Sequence, residues 1–237
     1  MLARIVEGAP SGVAGASGAE GAAEGAEADG GGRGVAVVEY DGEWADDLME
    51  GGGRLVLSSG EVYEGQLARG KYDGFGVLAC ADGREIEGAF VDGAASGVGQ
   101  LLTPAGDRYV GALAGGAREG EGECTYASGD VYRGEWRGDA RCGAGALEWA
   151  RGGRYVGGWL ADAQHGPGEL TTPSGAHVRA EWSAGEIVGR ARLTWADGRA
   201  YRGGLAPTAG GEFAPHGSGA GGLADGSGHY AGAWVRG

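Results

Sequence analysis

Four histidines, three cysteines and 33 acidic side chains are the groups in this 237-residue chain whose types could do chemistry. A metal site or an acid–base pair needs several such groups to converge. His165, His177, His216 and His229 contain no pair at the spacing of a helical metal site. They read as turn and surface histidines, His216 in an inserted loop and His229 near a turn. Cys80, Cys124 and Cys142 form no Cys-x-x-Cys pair and make an odd count, which points to a reducing compartment. Cys124 and Cys80 stand where apolar side chains belong and read as core, whereas Cys142 reads as a free thiol in a turn. Gly-x-Gly-x-x-Gly strings arise by accident in glycine-rich sequence and carry no phosphate-binding weight outside a strand-to-helix context. The carboxylates show no convergent pair. The sequence therefore assigns no catalytic residue, no metal and no cofactor, and the expectation is a protein that is not an enzyme.

Composition says what must hold these side chains. Glycine supplies 57 residues but proline only 6, with no three-residue glycine period, which excludes collagen. Seven Trp, nine Tyr and three Phe exclude simple disorder, because so many rings imply packing. A net charge of −14 disfavours nucleic acid and anionic membrane surfaces, whose phosphates it would repel. No apolar run is long enough to cross a bilayer, and the start, 1–7, lacks an apolar core of signal-peptide length.

An aromatic-x-Gly triplet organises the rest. It begins at Tyr40, Tyr63, Ile86, Tyr109, Tyr132, Tyr155, Val178 and Tyr201, always at an interval of 23, with Ile86 and Val178 as apolar substitutes. A ninth start, Tyr230, follows after 29 residues, with the extra six placed mainly in a loop from Pro207 to Pro215. Counting the aromatic as slot 1, slot 3 is glycine except at Ala180, and slot 5 is large and apolar (Trp44, Leu67, Phe90, Leu113, Trp136, Trp159, Trp182, Leu205). Slots 12 and 14 form a Gly-x-Gly pair, slot 16 is Leu or Cys124, and slot 21 is glycine again. The pair reads as displaced to Gly51 and Gly53 in the first unit and as broken at Arg190-Ala191.

Alternation at slots 1, 3 and 5 and again at 12, 14, 16 and 18 is the periodicity of two strands, hence a hairpin per unit. Asp-Gly or Ser-Gly at slots 20 and 21 supplies the turn into the next unit. Glycine inside a strand is costly unless something fills the space above it. The expectation is that the slot-1 and slot-5 rings lie over both glycines of the pair. A lone hairpin is unstable in water, but stacked hairpins are not. The predicted fold is all-β: an elongated, twisted, single-layer antiparallel sheet of tandem 23-residue hairpins, about 75–80 Å long for sixteen strands at about 4.8 Å spacing. It occupies 35–237. The segment 1–34, rich in Gly, Ala and Glu, reads as a flexible acidic arm.

Tyr132-Arg-Gly-Glu-Trp136 and Tyr40-Asp-Gly-Glu-Trp44, followed by Gly-x-Gly and Asp-Gly, resemble the MORN family, the membrane occupation and recognition nexus repeats, over about 40–237. The resemblance implies the fold just described. It also implies settings. Such arrays occur in axonemal radial spoke heads and other ciliary proteins, in protist cytoskeletal structures, and in adaptors that clasp a partner helix. They occur too in plasma-membrane junction proteins and beside lipid kinases and SET-domain methyltransferases, of which no segment is present here. The function expected is a scaffold that binds other proteins in a large assembly, foremost a ciliary or flagellar axonemal complex, in a cytoplasmic or cytoskeletal location. The alternative is a plasma-membrane or phosphoinositide-associated tether, which needs basic clusters; Arg133, Arg137 and Arg141 among Glu135 and Asp139 make only a thin one.

A single layer leaves one aromatic face without a cover, so its rings are expected to be half exposed and to form a groove. Ring density is highest in the C-terminal half: Tyr126, Tyr132, Trp136, Trp149, Tyr155, Trp159, Trp182 and Trp195 are the candidate protein-binding residues. The half-unit Tyr230-Ala-Gly-Ala-Trp234 is a single strand, with Tyr230 and Trp234 as a candidate assembly edge. The partner expected is a protein helix or strand laid on the sheet or added at that edge, a second copy of the chain included.

Overall fold

A computed structural model describes residues 35–208, 211–223 and 228–234, so the acidic arm lies outside the described residues. The described residues hold 17 strands and no helix. The first four hairpins are β1 (Val37–Ala45) with β2 (Leu48–Leu57), β3 (Val62–Ala68) with β4 (Lys71–Ala79), β5 (Glu85–Val91) with β6 (Ala94–Leu102), and β7 (Arg108–Ala114) with β8 (Ala117–Thr125). The next three are β9 (Val131–Arg137) with β10 (Ala140–Glu148), β11 (Arg154–Leu160) with β12 (Ala163–Thr171), and β13 (His177–Ser183) with β14 (Glu186–Thr194). β15 (Ala200–Pro207) and β16 (Phe213–Gly222) make the eighth, and β17 (His229–Trp234) follows alone. Each strand pairs antiparallel with its chain neighbours, giving one open sheet. The insertion is shorter than its expected Pro207–Pro215 bounds, because both prolines belong to strands. Cys142 and His216 likewise lie in strands, β10 and β16, rather than in a turn and a loop.

Two turn types alternate. Slots 7 and 8 carry positive φ at both residues, as at Gly138 (52°) and Asp139 (67°) or Ala161 (47°) and Asp162 (66°). That is the two-residue turn whose twist matches the flanking strands. At slots 18 to 22 the slot-21 glycine amide donates to the slot-18 carbonyl, as Gly129 does to Tyr126 at 2.8 Å.

The glycine pair has two separate physical causes, and the expectation that rings cover both glycines is corrected. Slot 14 faces slot 3 across the hairpin, as Gly122 faces Gly111, and the Tyr109 ring lies on both. A Cβ at Gly122 would collide with that ring. Slot 12 instead sits in a bulge where the register within each hairpin shifts, as between Gly111 and Leu113 opposite Arg118 to Gly122. Gly97, at φ 86°, has open space where its Cβ would be. At Gly97, Gly166 and Gly189 backbone conformation alone calls for glycine, while at Gly51, Gly74 and Gly143 the slot-4 side chains of Glu43, Gln66 and Glu135 also fill the space a Cβ would take. The slot-1 hydroxyl then donates to the slot-4 carbonyl beside the bulge, Tyr63 to Gln66 at 2.8 Å and Tyr109 to Ala112 at 2.7 Å.

Both reported irregularities also resolve. Gly51 faces Leu67 and Gly53 faces Gly65, the same register as in the second unit, where Gly74 faces Phe90 and Gly76 faces Gly88, so the first pair is not displaced. In the seventh unit Gly189 keeps the bulge (φ 72°) and only slot 14 changes, to Ala191. Slot 1 is Val178 there, with no ring to accommodate, and the methyls of Ala180 and Ala191 take its space.

Candidate functional site

The core is a set of rows that cross the sheet from strand to strand. Slots 1 and 16 alternate in one row, for example Tyr109, Cys124, Tyr132, Leu147, Tyr155 and Leu170, and all six are buried. Beside it run the slot-5 rings. Two tyrosines stand edge-on between two of them: Tyr132 meets Trp136 at 5.1 Å and Trp159 at 5.3 Å, and Tyr155 meets Trp159 at 5.3 Å and Trp182 at 5.4 Å. This geometry favours aromatic pairs beyond their buried area.

The predicted open groove over these rings is not what the fold provides. Trp136, Trp159 and Trp182 are only 2, 5 and 4% exposed, and Tyr132 and Tyr155 are fully buried. The cover comes from slot 10, which sequence reading passed over because its residue type changes from unit to unit. Met49, Tyr72, Ala95, Arg118, Arg141, Gln164 and Ile187 occupy it. Slot 10 is paired to slot 5 of its own hairpin and leans over the ring of the next. Arg118 lies 4.2 Å from the Trp136 ring centre, and Arg141 4.4 Å from that of Trp159. Tyr72 stacks on Tyr63 of its own hairpin at 4.0 Å and meets Phe90 of the next edge-on at 5.9 Å. The one available signal was that slot 10 recurs every 23 residues on the ring-bearing face.

The two arginines are held as well as stacked. Arg118 Nε reaches Asp139 Oδ1 at 3.0 Å and its other amine donates to the Asp139 carbonyl at 2.9 Å. Arg141 repeats this on Asp162 at 2.8 and 2.9 Å. Each clamp joins one hairpin to the next. Asp107 and Asp130 act similarly at the other end, accepting from the amides of Ala127 (2.9 Å) and Ala150 (2.8 Å) in the following turn.

What remains open in slot 18 is its rings, with the buried Thr172 standing between Trp149 and Trp195. Tyr126, Trp149 and Trp195 pack on the core with one side and stay half-buried. Tyr126 and Trp149 border an open groove of about 610 Å³, with Leu147 and Trp136 at its base and the Arg118 and Arg141 clamps along it. Burial pushes the Tyr126 hydroxyl up to about 12 against the opposing charge of Arg141, so it is a neutral donor at ordinary pH. With its aspartates engaged in clamps and turns, the groove offers flat ring surface, a hydroxyl and bound charge, which suits contact with another molecule. Among the described residues no three His, Cys, Asp or Glu side chains converge to hold a metal. Cys124 is buried in the slot-16 row, and burial raises its thiol. At the edge, Tyr230 is 52% exposed and its hydroxyl donates to Ala233 at 3.3 Å; the Trp234 side chain lies outside the described residues.

A sheet built of repeating hairpins, each completing the next one's core, defines a solenoid-like repeat protein. The MORN repeat model matches 40–62, 63–83, 87–108, 109–131, 132–154, 155–177 and 179–198, and the chain belongs to that family. No curated protein sequence matches it significantly. Among solved structures, the TCP domain of Drosophila melanogaster SAS-4, in complex with a proline-rich motif of Ana2, is similar at 18% identity. That match covers 67% of this chain and 84% of that one, with a TM-score of 0.41. The TCP10 domain of Danio rerio CPAP is similar at 12% identity over 81% and 91%, with a TM-score of 0.42. At that level the likeness does not bear on partners or place.

Proposed function

We propose that this chain is a non-catalytic scaffold whose repeat sheet docks other proteins in a large assembly, foremost a ciliary or flagellar axonemal complex. The observation that carries the docking reading is the half-buried column of Tyr126, Trp149 and Trp195. These are large rings with one face packed and one face free, on a sheet whose repeats are locked to each other. Such rings present wide apolar area at low entropy cost, which suits a protein interface. The ladder of Tyr132, Trp136, Tyr155, Trp159 and Trp182 supports the column from beneath. Family occurrence supports the axonemal placement. The outer side of β17, which pairs only with β16 among the described residues, is a second docking place, for an added strand.

The test uses the full chain. Trp149→Ala and Trp195→Ala should weaken native co-purification of axonemal proteins while Val98→Ala, on the opposite face, leaves it unchanged. Thermal melts of each variant correct for stability. Equal retention in all three variants sinks the docking column. Sedimentation with phosphoinositide-containing liposomes at physiological salt, if it matched protein binding, would favour the membrane tether.

A further inference from the structure

The face opposite the rings carries its own transverse row, made of slots 2 and 15. From β1 onward it reads Asp41, Arg54, Glu64, Val77, Glu87, Gln100, Val110, Glu123, Arg133, Ala146, Val156, Glu169, each directly opposite the next. No two like charges face each other in that stretch. Arg133 reaches Glu123 at 2.6 Å, the kind of pairing that favours a ladder. The pattern then fails. Arg179 faces Arg192, and Arg192 faces Arg202, placing three guanidinium groups abreast across β13, β14 and β15. Arg190, two residues before Arg192, joins them around an open groove of about 470 Å³ floored by Ala200 and Ala220. All four arginines are exposed. Glu169 pairs with Arg179 at 2.9 Å, and no carboxylate ion-pairs with Arg190, Arg192 or Arg202 among the described residues.

Like charges directly opposite each other destabilise a strand pair. Within 179–202 five arginines outnumber three acids, a local excess of positive charge in a chain of net charge −14. We infer that this groove binds a phosphate monoester carried on a polypeptide, a phosphorylated serine or threonine side chain of a partner. The charge count selects the ligand. Three guanidiniums are left unneutralised, and one carboxylate supplies a single charge, whereas a phosphomonoester brings about −1.5 to −2 and three acceptor oxygens. Adjacent strands are about 4.8 Å apart, so neighbouring guanidiniums can grip different oxygens of one phosphate bidentately. The acidic remainder of the molecule selects the carrier. A membrane or a nucleic acid would press its charge on a wide area and be repelled, while a single modified side chain touches the groove alone. Only this choice of a protein carrier rests on the scaffold reading above.

The test has two arms on the full-length protein. In the first, inorganic phosphate should raise Tm more than sodium chloride of equal ionic strength. Arg192→Gln should abolish the difference, and by relieving the facing charges should itself raise Tm in chloride by about 1–2 °C. In the second, a degenerate phosphoserine/phosphothreonine peptide library should bind wild type at least about tenfold better than Arg192→Gln/Arg202→Gln. Arg133→Gln/Arg154→Gln, on the same face, should bind as wild type does. The inference is overturned if phosphate and chloride act alike, if the unphosphorylated library or its glutamate version binds equally well, or if anionic vesicles compete the peptides off. Trp149→Ala should leave both arms unchanged, so failure of the ring-face docking column and failure of this site are told apart.

Discussion

At the residue scale, the slot-12 and slot-14 glycines look alike in sequence and differ in cause. Gly122→Ala forces a methyl into the Tyr109 ring. It should cost about 1–3 kcal/mol by overpacking, and Tyr109→Leu in the same chain should recover part of it, as read by denaturant unfolding. Val178 with Ala180 and Ala191 shows that compensation already made in the natural sequence. The tryptophans differ in a similar way. Trp136 Nε1 donates to the Gly122 carbonyl at 3.3 Å, whereas the buried Nε1 atoms of Trp159 and Trp182 have no partner among the described residues. Trp136→Phe breaks a hydrogen bond and Trp159→Phe removes an unsatisfied donor. Trp136→Phe should therefore be the more destabilising by about 1 kcal/mol.

At the element scale, the turns and clamps decide how well each hairpin joins the next. Ala184 opens its turn at φ 50° without being glycine, asparagine or aspartate. Left-handed geometry costs an ordinary residue about 1–2 kcal/mol, partly offset by the greater chain entropy of glycine. Ala184→Gly should thus stabilise by about 0.5–1 kcal/mol in a thermal melt. The Arg141–Asp162 clamp should give a coupling near 1 kcal/mol in a double-mutant cycle with Arg141→Met and Asp162→Asn. The exposed Arg54–Glu39 pair, at 3.8 Å, should give close to none.

Sequence and structure part company at this same scale. Period, hairpins, strand count per unit and the Tyr-over-Gly contact were all legible, because each depends on residue types that recur every 23 positions. The cover over the rings was not. Slot 10 holds Met, Tyr, Ala, Arg, Arg, Gln and Ile, so its shared direction is fixed by the strand pleat and leaves no compositional trace. Reading the face as uncovered made Trp136, Trp159 and Trp182 look open when they are core. The basic groove was hidden for a related reason. Arg179, Arg192 and Arg202 lie on three successive strands with other residue types between them and meet only through cross-strand register.

At the scale of the whole molecule, the buried tyrosine row sets the response to alkali. Burial raises Tyr109 and Tyr155 to about 12, and Tyr72 and Tyr126 likewise, from an ordinary value of 10. A raised pKa means the native state holds its protons more tightly than the unfolded chain. The stabilisation is complete below pH 10 and is lost as pH climbs toward 12. Denaturant midpoints should be flat from neutral pH to about 9 and then fall, with tyrosine ionisation by absorbance tracking the unfolding transition. Tyrosines that titrate near 10 in the intact fold would contradict this.

Strand pairing between immediate chain neighbours alone also fixes how the molecule meets mechanical force. Tension between its two ends would load one ladder bond at a time and peel strands off in sequence, so the array yields as a zipper does. Tension along the strands would shear many bonds of a ladder together and meet far greater resistance. A scaffold of this build is weak lengthwise and strong across its width. Anything that must bear load through it has to grip it by its flanks.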